Sequence, residues 1–206
     1  MNKKNVGIFI FNDVELLDFA GPFEVFSRTR AIKGSKSRLS NESALFNTFT
    51  FSYYKKNIIA TGGIEITPNY HIYNLPEVDI LVIPGGIGTR TLLENDKFIT
   101  WFSDYCSKVP ILTSVCTGSL LLAKAGLLKN KKCTTHWGAI DLLDSLDESL
   151  TVIKNKRIVD DTIITSAGVS SGIDMAFYIV SKLFGENIAE DTAKYIEFNR
   201  SKTILN

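Results

Sequence analysis

Val109-Pro110-Ile111-Leu112-Thr113-Ser114-Val115-Cys116-Thr117-Gly118-Ser119-Leu120-Leu121-Leu122-Ala123-Lys124-Ala125 is the stretch on which the fold turns. Val109–Thr113 is a short apolar run of strand length that ends at Ser114-Val115-Cys116. From Thr117 to Ala125 small and apolar residues follow at helical spacing. Two further runs have the same form. Val6–Phe11 (Val-Gly-Ile-Phe-Ile-Phe) ends at Asn12-Asp13, and Asp79–Ile83 (Asp-Ile-Leu-Val-Ile) ends at Pro84-Gly85-Gly86. Continuous apolar strands belong to sheets covered on both faces. Helical patterns at 20–28, 98–107, 137–146, 171–184 and 188–198 alternate with them. The class is therefore α/β, a mainly parallel sheet with helices on both faces.

The remaining segments fill in the edges. Pro22 sets the start of the first helix near Ala20, because proline fits a helix best in its first turn. The Lys-, Ser- and Asn-rich stretch Ala31–Ser43 reads as a mobile surface loop. Phe46–Tyr54, Ile58–Ala60 and Ile64–Thr67 read as strands, some at a sheet edge. Arg157–Asp160 and Thr162–Thr165 read as a hairpin across Asp160-Asp161. No linker, repeat or low-complexity tract interrupts residues 1–206, so one domain is expected.

Bulk properties narrow the function classes. The 206 residues are 45% hydrophobic and 22% charged with a net charge of +1, which argues against a strongly basic nucleic-acid surface. Three cysteines (Cys106, Cys116, Cys133) and two histidines (His71, His136) lack metal-ligand spacing, so no metal is expected. With no signal-peptide pattern and no membrane-length apolar run, a cytoplasmic protein with free thiols is expected.

The chemistry centres on Cys116. A cysteine between a buried strand and a helix has the setting of a nucleophile elbow, where a tight turn pushes the side chain out at the top of the sheet. Gly118 and Ser119 are small enough for close backbone approach. A helix beginning near Thr117 would favour the thiolate, so a depressed pKa is expected. Free cysteines are commonly inert small hydrophobes; the strand–Cys-Thr-Gly-Ser–helix context selects the reactive alternative. Gly85 and Gly86 end a neighbouring strand where amides could face a ligand, with the Thr117 N–H as a further oxyanion donor. Asp18 is either a helix N-cap or a carboxyl group aimed at the thiol, and local sequence does not decide between them. Glu24 is a surface acid and the substitute if Asp18 fails. His136 is read as capping or packing beside Trp137 rather than as a dyad partner. Phe11, Phe19 and Trp137 are candidates for lining an apolar pocket.

Taken together, Leu17-Asp18-Phe19-Ala20-Gly21-Pro22, Ile83-Pro84-Gly85-Gly86, Val115-Cys116-Thr117-Gly118-Ser119, Thr134-Thr135-His136-Trp137 and Ala167-Gly168-Val169-Ser170-Ser171-Gly172-Ile173-Asp174 resemble the ThiJ/PfpI superfamily, and within it the branch that contains isocyanide hydratase. The resemblance runs along nearly the whole chain. It implies a flavodoxin-like sandwich, a homodimer, a small-molecule substrate, no cofactor, Cys116 as nucleophile and Asp18 as its carboxyl partner. The activity it implies is hydration of an isocyanide to an N-substituted formamide through a covalent thioimidate. Relatives that act as proteases carry histidine directly after the cysteine; Thr117 stands there, against peptidase activity. The alternatives are glyoxalase- or deglycase-like chemistry on 2-oxoaldehydes, and a small-molecule or oxidant sensor. The branch also supplies sensing domains of AraC-type regulators; with the sequence ending at Asn206, no DNA-binding extension is expected.

Overall fold

The computed structural model describes residues 2–54 and 56–200. In chain order the first elements are β1 (Lys4–Phe9), α1 (Leu16–Arg28), β2 (Phe46–Ser52), β3 (Ile58–Ile59), β4 (Glu65–Ile66), β5 (Tyr70–His71) and β6 (Ile80–Ile83). Then come α2 (Thr89–Leu93), α3 (Asp96–Cys106), β7 (Ile111–Val115), α4 (Gly118–Lys124), β8 (Lys132–Cys133), α5 (Ile140–Leu146), β9 (Thr151–Val152), β10 (Ile158–Asp160), β11 (Ile164–Ser166), α6 (Ser171–Phe184) and α7 (Glu186–Tyr195).

Seven strands form the central sheet in the order β10-β11-β7-β6-β1-β2-β5. All neighbours are parallel except the β10–β11 hairpin. Alternation along the strands feeds two apolar layers. Phe9 of β1 packs on Phe98, Trp101 and Phe102 of α3. Phe46 of β2, on the other face, packs edge-on against Phe26 of α1 and Phe184 of α6. Helices α1, α6 and α7 pack together, as do α2, α3 and α4. The mainly parallel sheet with helices on both faces expected from the three apolar runs is present, in the flavodoxin-like sandwich that the resemblance implies. Among the described residues no helix is long and apolar enough to cross a membrane.

Three expectations are corrected. Helix α1 starts at Leu16, four residues before Ala20, and Pro22 sits inside it. An interior proline normally costs a helix about 3 kcal/mol. Here Pro22 is buried and lies over Gly172 of α6, so packing between α1 and α6 offsets the lost backbone bond. The stretch Ala31–Ser43 contains a 3-10 turn at Ser35–Leu39 and is pinned by two buried arginines. Arg30 donates to the carbonyls of Ser27 and Ser40, and Arg38 pairs with Asp191 of α7 at 2.6 Å. Finally, β2 pairs on both sides, with β1 and β5, whereas β3 and β4 form a separate small hairpin.

Parallel connections place the carboxyl ends of β1, β6, β7 and β11 along one edge, where ligands bind in open α/β sheets.

Candidate active site

Cys116 follows the last residue of β7 with a φ of 56°. A non-glycine residue in the left-handed region costs roughly 1–3 kcal/mol and persists only when its surroundings over-determine it. Here they do. Its N–H is shared between the carbonyls of Ser166 (3.1 Å) and Ala167 (3.2 Å) at the end of β11. Its carbonyl accepts from the hydroxyls of Thr135 (2.9 Å) and Ser119 (3.1 Å). The small residue after the elbow is required, because a Cβ on Gly118 would lie 2.1 Å from the Ile83 carbonyl oxygen. The Cys116 side chain is left 6% exposed.

Asp18 is brought to the sulfur by the early start of α1. It lies in the first turn of that helix, and Glu15 is the N-cap, so Asp18 is not the cap. Its carboxyl is fully buried. Oδ2 accepts the Gly85 N–H at 2.9 Å. Oδ1 has no hydrogen-bond partner among the described residues, and the Cys116 thiol is near enough for each group to shift the other's pKa. Glycine at 85 is what permits this approach: a Cβ there would sit 2.5 Å from the Thr117 nitrogen and 2.9 Å from Asp18 Oδ2.

The electrostatics differ from the expected depressed thiol. Burial drives the Asp18 pKa up to about 7, against the opposing pull of the Gly85 amide and the Cys116 thiol. Burial, followed by the charge on Asp18, pushes Cys116 up to about 12, although the amides of Thr117 and Val169 oppose the rise. Helix α4 has only 7 residues and begins at Gly118, too little dipole to outweigh desolvation beside a carboxylate. Near neutral pH the pair therefore keeps the proton on sulfur and a second, partly occupied proton site on Asp18. Asp18 is the charged group that acts on the thiol.

The diglycine amides are engaged within the protein. Gly85 holds Asp18, and the Gly86 N–H donates to Thr117 Oγ1 at 3.0 Å. They position the dyad and the elbow rather than facing a ligand. Of the expected donors, the Thr117 amide acts on the Cys116 thiol. Val169 joins it and was missed by the sequence, in which the segment 166–172 offered only the absence of a histidine. A β-branched residue with a φ of 44° is an outlier with no sequence signature.

Other candidates fall outside. Glu24 is exposed and pairs with Arg28. His136 Nδ1 accepts the Gly138 N–H at 3.1 Å, capping the short turn Trp137–Ala139. Phe11 and Phe19 are core residues, whereas Trp137 is 81% exposed. Burial raises the Cys106 and Cys133 thiols, the latter to about 11. No cluster of three or more His, Cys, Asp or Glu with metal-binding geometry occurs among the described residues.

Several known proteins are similar along most of the chain. An isonitrile hydratase from Pseudomonas putida is 28% identical over 195 residues, covering 94% of this chain and 78% of the relative. The HTH-type transcriptional regulator GbdR of Pseudomonas aeruginosa is 23% identical over 97% of this chain, which spans only 52% of that regulator. Among solved structures, a ThiJ/PfpI family protein from Pseudomonas syringae superposes with a TM-score of 0.83 at 24% identity, over 100% of this chain and 79% of that one. DJ-1beta of Drosophila melanogaster superposes with a TM-score of 0.79 at 18% identity, over 96% and 100%. The DJ-1/PfpI family model matches residues 4–182, and with the sandwich and the Cys116 elbow in place, the chain belongs to the DJ-1/PfpI family.

Proposed function

We propose that this protein is a cofactor-independent hydratase that adds water to an isocyanide, with Cys116 as nucleophile and Asp18 as proton carrier. The observation that carries the proposal is a fully buried Asp18 carboxyl, with one oxygen unpartnered, electrostatically coupled to a thiol at a strained elbow. The similarity to isonitrile hydratase supports the choice of substrate class.

The chemistry balances with these two residues and water. Sulfur attacks the terminal carbon of R–N≡C. Asp18 accepts the thiol proton and delivers it to that same carbon, giving the thioimidate R–N=CH–S–Cys116. Asp18, again a carboxylate, takes a proton from water as the hydroxyl adds to the carbon, and nitrogen receives that proton. Collapse of R–NH–CH(OH)–S–Cys116 breaks the C–S bond. The hydroxyl proton returns to sulfur through Asp18, and R–NH–CHO leaves. The Thr117 and Val169 amides stabilise sulfur as it regains charge on departure. The proposal includes one domain over residues 1–206, a cytoplasmic location and a homodimer, the last measurable by sedimentation.

A sensor that binds a small molecule without turning it over is the second reading, favoured by the match to GbdR over 97% of the chain. Purified protein incubated with phenyl isocyanide and, separately, with methylglyoxal distinguishes these cases, with products followed by mass spectrometry. Formation of N-phenylformamide, lost in Cys116→Ala, is the expected result. Undiminished turnover in Cys116→Ala rejects the mechanism. Turnover of methylglyoxal alone favours oxoaldehyde chemistry, and turnover of neither favours the sensor.

A further inference from the structure

A groove of about 520 Å³ opens beside the elbow. Two of its lining residues hold Cys116: Thr135 donates to its carbonyl and Ala167 accepts its N–H; the amide of a third, Val169, acts on its thiol. The lining also includes His136, Trp137, Asn155, Lys156 and Arg157. The groove thus adjoins the residues that hold Cys116 and carries cationic side chains in its lining.

Its chemistry is one-sided. No Asp or Glu lines it. Arg157 is held from behind by the buried Asp174, to which its Nε donates at 2.7 Å, so much of its charge is offset. Lys156 has no ion-pair partner among the described residues. The bond from Gly138 fixes His136 Nδ1 as an acceptor, which in the neutral ring leaves the proton on Nε2, another donor. Trp137 tilts against the His136 ring at a centroid distance of 5.3 Å and still leaves 81% of its surface in solvent beside these donors, a large exposed apolar face. A planar ring can stack on that indole while an anionic substituent meets Lys156.

We propose that this groove receives the organic group of the substrate and selects a planar aryl group bearing a carboxylate. The proposal rests on the hydratase reading for the identity of the reacting group, but not for the recognition itself. Lys156 and Trp137 are binding residues that determine specificity; they take no part in bond making.

Two measurements keep the two proposals separate. In the first, kcat/KM is compared for 4-isocyanobenzoate and its uncharged methyl ester. The expected preference for the anion is about threefold to fivefold at low salt, the scale of one partly exposed charge pair. It collapses to near unity in Lys156→Gln. Equal kcat/KM for both compounds in the wild type, or a preference that survives Lys156→Gln, overturns the assignment and leaves the hydratase reading intact. In the second, binding of 4-formamidobenzoate is read by tryptophan fluorescence, which needs no turnover. Quenching that disappears in Trp137→Phe and a Kd weakened about threefold to fivefold in Lys156→Gln are expected. Such binding without turnover of either isocyanide keeps the groove assignment and removes the hydratase. No quenching at millimolar ligand overturns the groove assignment.

Discussion

Asp18→Asn should stabilise the protein, and should do so more as pH rises. The Asp18 carboxyl is fully buried and its pKa stands at about 7, against 3.8 for the free side chain. Between those values the folded protein holds a proton that the unfolded chain has released. The stability Asp18 contributes by staying protonated is complete below the lower value and is lost as pH climbs through the upper one. A shift of about three units corresponds to about 4 kcal/mol over the whole window. Between pH 5 and pH 8 the loss is about 2.5 kcal/mol, or about 5–10 °C in Tm for a chain of this size. Asparagine is neutral throughout, and its carbonyl oxygen can still accept the Gly85 N–H. Other titrations are common to both proteins and cancel in the difference. Urea unfolding of wild type and variant at pH 5 and pH 8 reads the gap directly, provided the m-values agree. A gap that widens by 2 kcal/mol or more toward pH 8 is expected. A gap that stays constant or narrows refutes the raised carboxyl.

Gly85→Ala pushes a methyl group against the Thr117 backbone and the Asp18 carboxyl; a stability loss of about 1–3 kcal/mol by urea melt is expected, with a larger fractional loss of turnover than any surface alanine causes. Asp191→Ala leaves the buried Arg38 guanidinium without its carboxylate, and a loss of about 3 kcal/mol is expected, measured the same way. Cys106 and Cys133, raised by burial, should resist iodoacetamide at pH 8 until the protein unfolds, as peptide mass mapping would reveal.

The apolar runs made the sheet legible, since a parallel sheet buried on both faces needs little beyond continuous hydrophobic strands. Cys116 was legible for the same reason: its position depends on local punctuation, a strand followed by Thr117-Gly118-Ser119. Asp18 was half legible. Pro22 pulled the expected helix start to Ala20, and only the contact between α1 and α6 explains a proline inside the helix. The sign of the thiol shift was hidden because a helix terminus can be read from sequence while burial and a carboxylate 98 positions away cannot. Val169 and the arginine-pinned stretch at 31–43 depend on partners brought by tertiary structure, such as Asp191 for Arg38. Composition alone made that stretch look mobile.

The central claim is that Asp18 is the base that relieves Cys116 of its proton. The rate of Cys116 alkylation by iodoacetamide between pH 5 and pH 11, in wild type and in Asp18→Asn, tests it most directly. Wild type should show an inflection near pH 7, where the carboxyl ionises. Asp18→Asn should lose that inflection and react only as pH enters the range of the thiol itself, above about 9. An inflection near pH 7 that persists in Asp18→Asn contradicts the account.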